Sequence, residues 1–363
     1  MIKLTPEQRL VQDEARKFAS TELEPIAEEI DNNASFPRDI IKKLADLGFL
    51  GIVIPEKYGG AELDSLSYCL IIEEISKICP SVGAILIANN ALVAYPLFKY
   101  GKESQKERWL ARVARGEIIG AFAITEEQEE IKTTAKEENG NYVLSGKKNF
   151  VVNAEAAELF IICSSTENGI VPFLIERKNL EVIEKQDSIG MRGSGIWNLK
   201  LNGVRATEDN ILGGSLGEAS VSRYIIDDAL AFAGLGISAL SVGIGESVLE
   251  ESIKYSKQRH QFGRLICEFP LVQNMIVEMN VKIVQAQLLV YSAALGSQAS
   301  HMAKLASTDA AVFAGIKGIQ VHGGYGYTKD YPIERFFRDA NVARVWCGSS
   351  AVQKTKIARA LLK

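Results

Sequence analysis

The chain has 363 residues and a formal net charge of −4, with Lys and Arg (41) nearly balancing Asp and Glu (45). Hydrophobic residues at 47% and charged residues at 24% give the balance of a soluble globular protein of roughly two or three domains. No segment gathers Lys and Arg as a nucleic-acid surface would, and the five scattered cysteines, without a C-x-x-C, exclude a zinc ribbon or a disulfide framework.

The first part predicts helices. Thr5-Pro6-Glu7-Gln8 reads as a helix start, with Thr5 as N-cap and Pro6 in the first turn. A second helix follows Pro37, carries Ile40, Ile41 and Leu44, and stops at Gly48. Leu66–Ile78 and Val82–Tyr100 read as two more, the latter apolar nearly all round and therefore buried. Asn89 and Asn90 inside it need partners from backbone or ligand.

Near Gly116 the pattern changes. Asn139-Gly140 and Ser145-Gly146 read as hairpin turns among short strand-like runs: Tyr142–Leu144, Phe150–Val152, Leu159–Cys163, Ile170–Ile175, Leu180–Ile183 and Trp197–Leu201. These predict a small antiparallel barrel or sandwich. From Ser220 the helical period returns and predicts a four-helix bundle. The uncharged stretch Ala229–Gly245 falls short of the ~20 apolar residues a bilayer needs, and no membrane span is expected. His260, His301 and His322 lack metal-ligand spacing and read as structural; no metal site is expected. The expected organisation is α+β: a helical domain over 1–118, a β domain over 119–217 and a helical bundle over 218–363, in a reduced, cytoplasmic setting.

Six motifs in this order resemble the acyl-CoA dehydrogenase family: L-G-F-L-G-I-V-I-P-E-K-Y-G-G (Leu47–Gly60), A-F-A-I-T-E (Ala121–Glu126), M-R-G-S (Met191–Ser194), R-H-Q-F-G (Arg259–Gly263), Q-V-H-G-G-Y-G-Y (Gln320–Tyr327) and Y-P-I-E-R-F-F-R-D-A (Tyr331–Ala340). The resemblance covers the whole chain. It implies a homotetramer that holds FAD between the β domain and the bundle. It also implies oxidation of an acyl-CoA, or an acyl group on a carrier protein, to the 2,3-enoyl thioester, with electrons passing to an electron-transferring flavoprotein. A glutamate base and two hydrogen-bond donors on the thioester carbonyl make so weak a carbon acid reactive.

By this resemblance Phe122, Ile124, Thr125, Phe150 and Val152 lie along the flavin, although Val152 stands where a threonine is common. Arg259 and Phe262 would reach the FAD of a neighbouring subunit. Gln320, Gly323 and Gly324 would approach its adenosine half, and Ser349 replaces a threonine. The family's Gly-Ser pair after A-F-A-I-T-E has no counterpart; four acidic residues fall within Glu126–Glu130 instead, read as a solvated loop facing away. A family glutamine is Pro270 here.

The base position is the sharpest departure. Where the family reads Y-E-G-T this chain reads Trp346-Cys347-Gly348-Ser349, with Trp346 and Gly348 expected beside the substrate. Cys347 is read as a small inert side chain, since a free thiol is a good nucleophile but an indifferent carbon base. A sub-branch carries its glutamate and an arginine where Ala233 and Gly234 stand here. Of the nearby acids, Asp227, Asp228 and Glu246, Asp228 is the candidate for a displaced base. Three readings follow: an acyl thioester dehydrogenase with a displaced or missing base, a degenerate subunit of a mixed oligomer with an active paralogous chain, or a flavoprotein offshoot with other chemistry.

Overall fold

The computed structural model describes residues 3–128, 130–214, 219–297 and 299–362; the 217/218 domain boundary expected from sequence lies outside them. The N-terminal helices are α1 (Pro6–Phe18), α2 (Ala27–Asn33), α3 (Arg38–Asp46), α4 (Ser65–Ile78), α5 (Pro80–Asn89), α6 (Tyr95–Tyr100), α7 (Glu103–Gln105) and α8 (Ala111–Ala114). Thr5 caps α1 through a capping box with Gln8, as its sequence predicts. Asn89 and Asn90 find backbone partners. Asn89 bridges Leu50 O and Gly120 N–H, while Asn90 bonds Ile52 N–H, Phe49 O and Leu86 O, all at 2.9–3.0 Å. Two buried amides thus stitch the Leu47–Gly60 segment and the first strand to the helical core, at the fully paired state burial demands.

The middle domain contains β1 (Gly120–Ala123), β2 (Thr134–Glu138), β3 (Asn141–Val151), β4 (Leu159–Thr166), β5 (Gly169–Glu176), β6 (Glu181–Lys185) and β7 (Trp197–Ala206). The sheet is mixed, not purely antiparallel, because the chain leaves β1, makes the β2–β3 hairpin and returns so that β4 runs parallel to β1. Asn139 and Gly140 do form the hairpin turn, both at positive φ. Ser145-Gly146 does not turn the chain. It lies inside β3 at a register shift, and the missing Cβ of Gly146 admits Thr133, whose Cα would lie 2.7 Å from it.

Among the described residues the C-terminal part has five helices, the expected bundle of four and a last helix after the Trp346–Ser349 turn, with a short hairpin of β8 (His260–Gln261) and β9 (Arg264–Leu265) between the first two. They are α9 (Ala219–Ser256), α10 (Pro270–Ala294), α11 (Ser300–His322), α12 (Ile333–Val345) and α13 (Ser350–Leu361). The first four pack together and α13 lies on α11. One continuous apolar core joins this bundle to the N-terminal helices, while the middle domain keeps a core of its own. The α4–α9 contact is close: a Cβ on Gly236 would lie 2.1 Å from the Tyr68 hydroxyl. Pro80–Tyr100 and Val221–Ser256 are long and apolar enough to span a bilayer, yet 89% and 72% of their apolar windows are buried inside the fold, as in core helices.

The acidic run after β1 is not wholly solvated. Glu126 turns inward, 2.5 Å from Lys148 Nζ, and accepts the N–H groups of Lys132 (2.7 Å) and Thr133 (3.0 Å); Glu127 and Glu130 are exposed, and Glu129 is outside the described residues. Burial raises the Glu126 carboxyl, but Lys148 and these N–H donors outweigh it and hold it below the usual glutamate range. Burial also holds Lys148 below the lysine range against the pull of Glu126, so desolvation of the ammonium offsets part of the pair's gain. Glu126→Gln is expected to cost about 3–5 kcal/mol in denaturant unfolding, and Glu126→Leu with Lys148→Met far less. Because Glu126 titrates lower folded than unfolded, its contribution is complete above about pH 4.3 and is lost as pH falls through the depressed value. Urea titrations of both variants across that range measure it.

Candidate active site

A cavity of about 630 Å³ opens where the middle domain meets the bundle. Ile124, Thr125, Phe150 and Val152 form one wall, and the turn Trp346–Gly348 between α12 and α13 forms another. Phe150 has φ of 54° and is 57% exposed, so a flat apolar face stands open at the cavity. Between the walls the lining mixes aliphatic side chains such as Ile189, Ile196, Leu230 and Val342 with the hydroxyls of Thr125 and Ser194 and a polar rim that includes Arg223, Asp227 and His301. This fits a planar ring system with polar edges. Phe122, buried in β1, and Ser349, which starts α13, flank the cavity without lining it.

The turn is held from below. Lys304, 2% exposed on α11, donates to Trp346 O, to Cys347 O at 2.9 Å and to Gly348 O at 2.7 Å. Three carbonyls at a helix C-terminus thus surround one ammonium, whose three protons match them. Burial still pushes Lys304 down to about 8. Cys347 has φ of 52° and Gly348 φ of 98°, left-handed geometry that costs a non-glycine residue about 1–3 kcal/mol. Burial pushes the Cys347 thiol up to about 11, partly offset by Lys304, so it is neutral at pH 7.

The two carboxylates nearest the cavity in sequence separate. Asp228, the candidate base from sequence, faces away: it accepts Tyr95 Oη (2.9 Å), Tyr100 Oη (2.6 Å) and Lys99 Nζ (2.8 Å) on the α6 side. Burial raises its pKa, but Lys99 and the two tyrosines outweigh that and hold it low, the opposite of a poised base. Asp227 does line the cavity, paired with Arg223 at 2.9 Å. Gly234 also lines it, and Ala233 is fully buried, so small residues stand at the alternative base position. Glu246 is engaged with Lys77 at 2.6 Å, inside the helical core.

Arg259, Gly323 and Gly324 lie elsewhere, around a second cavity of about 490 Å³ with Tyr255 and Tyr325. Gln320 is exposed on α11, and Phe262, at the tip of the β8–β9 hairpin, is 92% exposed. Within one chain these residues do not join the Phe150 cavity. Of the histidines, His322 is structural: it is buried, stacks on Tyr255 at 4.3 Å and bonds Gly318 O. His301 lines the main cavity, and sequence reasoning missed it together with Lys304 and Gln353. The available signal was the three-residue spacing of His301 and Lys304, which places both on one face of α11.

Models of the acyl-CoA dehydrogenase N-terminal, middle and C-terminal domains match residues 5–117, 121–204 and 223–362. A 3-(aryl)acrylate reductase of Clostridium sporogenes is 37% identical over 378 positions, and an acyl-CoA dehydrogenase of Bacillus subtilis 36% over 379, each alignment covering 99% of both chains. The solved butyryl-CoA dehydrogenase of Megasphaera elsdenii superposes with a TM-score of 0.95 at 31% identity over 100% of both chains. With three domain models matched in order and relatives of this identity over the full length, the chain belongs to the acyl-CoA dehydrogenase family.

Proposed function

We propose that the chain is an FAD-dependent oxidoreductase that interconverts a saturated acyl thioester and its 2,3-unsaturated counterpart. The observation that carries this is one cavity with Thr125, Phe150 and Val152 on one wall and the Lys304-anchored turn of Cys347 on the other. Bound flavin supplies a hydride acceptor and donor there. The protein's part is to hold the ring against Phe150, to place the thioester between ring and turn, and to direct backbone N–H groups of the turn at its carbonyl. Aliphatic side chains beside the turn, Val342, Val345 and Val352, limit the water that competes for those donors.

The relatives named for 3-arylacrylate and butyryl substrates support short or aryl-bearing acyl groups, on CoA or on a carrier protein. The exposed Phe262 and the separate cavity of Arg259, Gly323 and Gly324 support completion of the adenosine half by a second copy, as in a homotetramer. An electron-transferring flavoprotein is the matching redox partner. A second reading, a degenerate subunit paired with an active paralogue, is favoured by the neutral Cys347 thiol and the withdrawn Asp228.

Anaerobic addition of butyryl-CoA or 3-phenylpropionyl-CoA to the purified yellow protein is expected to bleach the flavin band. Bleaching only after mixing with a paralogous chain would support the second reading. Cys347→Glu reads the base position directly: a rate of bleaching raised ~10²-fold or more, the usual reach of a positioned base, would mean that no other group of the chain takes the α-proton. An unchanged rate with flavin retained would mean that the proton is already handled by another group.

A further inference from the structure

Of the titratable groups that line the main cavity, Asp227 is paired with Arg223, Lys304 is tied to three carbonyls and the Cys347 thiol is neutral, which leaves the imidazole of His301. We infer that His301 is the general base that takes the α-proton of the thioester, and the acid that returns it in the reverse direction. This rests on the thioester chemistry proposed above.

Gln353, on α13, is 4% exposed. Its Nε2 donates to Gly348 O at 3.1 Å, an oxygen also held by Lys304 at 2.7 Å. That bond sets the direction of the amide, so its Oε1 faces His301 Nδ1 at 2.9 Å. An amide oxygen only accepts, so Nδ1 carries the proton and Nε2 keeps its lone pair. The imidazole is therefore held in the basic tautomer by a side chain anchored on the turn that contains Cys347. His301, Trp346, Cys347 and Gly348 line one cavity.

The groups facing His301 suit the role. Burial, Lys356 of α13 and Lys304 of α11 lower its pKa, while the Gln353 bond and Asp227 of α9 oppose them; the net shift is downward. Arg223 partners Asp227 at 2.9 Å. The free imidazole thus predominates at pH 7. In the forward step the Cα–H bond breaks, an N–H bond forms at Nε2, and the electron pair passes into the thioester enolate. The imidazolium formed lies near Asp227, whose charge favours it.

The test uses the flavin-loaded protein and butyryl-CoA or 3-phenylpropionyl-CoA in D₂O, with α-deuterium read by mass spectrometry and flavin bleaching by absorbance. His301→Gln is expected to keep bound flavin and lose α-exchange by at least ~100-fold. His301→Glu should restore part of it and move the acidic limb of its pH profile from the histidine range down to the carboxylate range. Nitrogen-15 NMR of the protein, which has only three histidines, should show His301 as the Nδ1–H tautomer. Exchange within ~3-fold of wild type in His301→Gln, its loss in Asp227→Asn instead, or an Nε2–H tautomer would overturn the assignment while leaving the proposed function standing. A wild-type protein that binds flavin but neither exchanges nor bleaches would overturn the proposed function itself, and this inference with it.

Discussion

The ammonium of Lys304 beneath the Trp346–Gly348 turn is the contact on which the site depends. A buried lysine is costly to desolvate, and burial lowers Lys304 to about 8. Three backbone carbonyls at the end of α12 compensate it. Their saturation fixes a left-handed Cys347 that would otherwise relax. With the carbonyl oxygens drawn down onto Lys304, the turn has a fixed direction, and Gln353 extends the same anchor to His301. One buried charge therefore sets the chain path, the cavity wall and the tautomer of a neighbouring ring.

That turn can be rigid only if its surroundings are. The N-terminal helices and the bundle share a single apolar core to which one side of the middle domain contributes Phe122, Leu159, Ile161 and Leu174, and buried polar contacts key the domains together. Asn89 ties β1 to the helices. Arg338 on α12 grips Asp31 of α2 with two bonds of 2.6 and 3.0 Å, and Ile189 O at 2.9 Å. Asp339 receives the Met191 N–H at 2.5 Å; burial pushes its carboxyl up to about 7. The motifs Met191–Ser194 and Tyr331–Ala340, far apart in sequence, are thus two halves of one joint beside the cavity.

Much of this is legible in the sequence, for identifiable reasons. Capping residues, apolar periodicity and the order of six motifs carry the helices, the domain order and the family. β1 is lost to such reading because Gly120–Ala123 is a short, wholly buried run with no alternation. Ser145-Gly146 looks like a turn but is a bulge, since its glycine serves a close approach and not a reversal. At the site, the vacancy at Cys347 is plain from sequence, whereas the fate of Asp227 and Asp228 is not. Adjacent residues on a helix point about 100° apart, and only the packing of α6 decides which one the cavity sees. The tautomer of His301 is invisible for a similar reason: its partner Gln353 is 52 positions away on another helix.

In the function proposed for this chain the cavity takes flavin and thioester, while the carboxylate expected at the turn is replaced by a neutral thiol. The central claim is that this chain, by itself, still holds flavin in that cavity. The most direct measurement is the absorption spectrum and FAD content of the chain expressed and purified without any paralogue. A flavin spectrum with stoichiometric FAD is the predicted result. A colourless protein that takes up no added FAD would contradict the account.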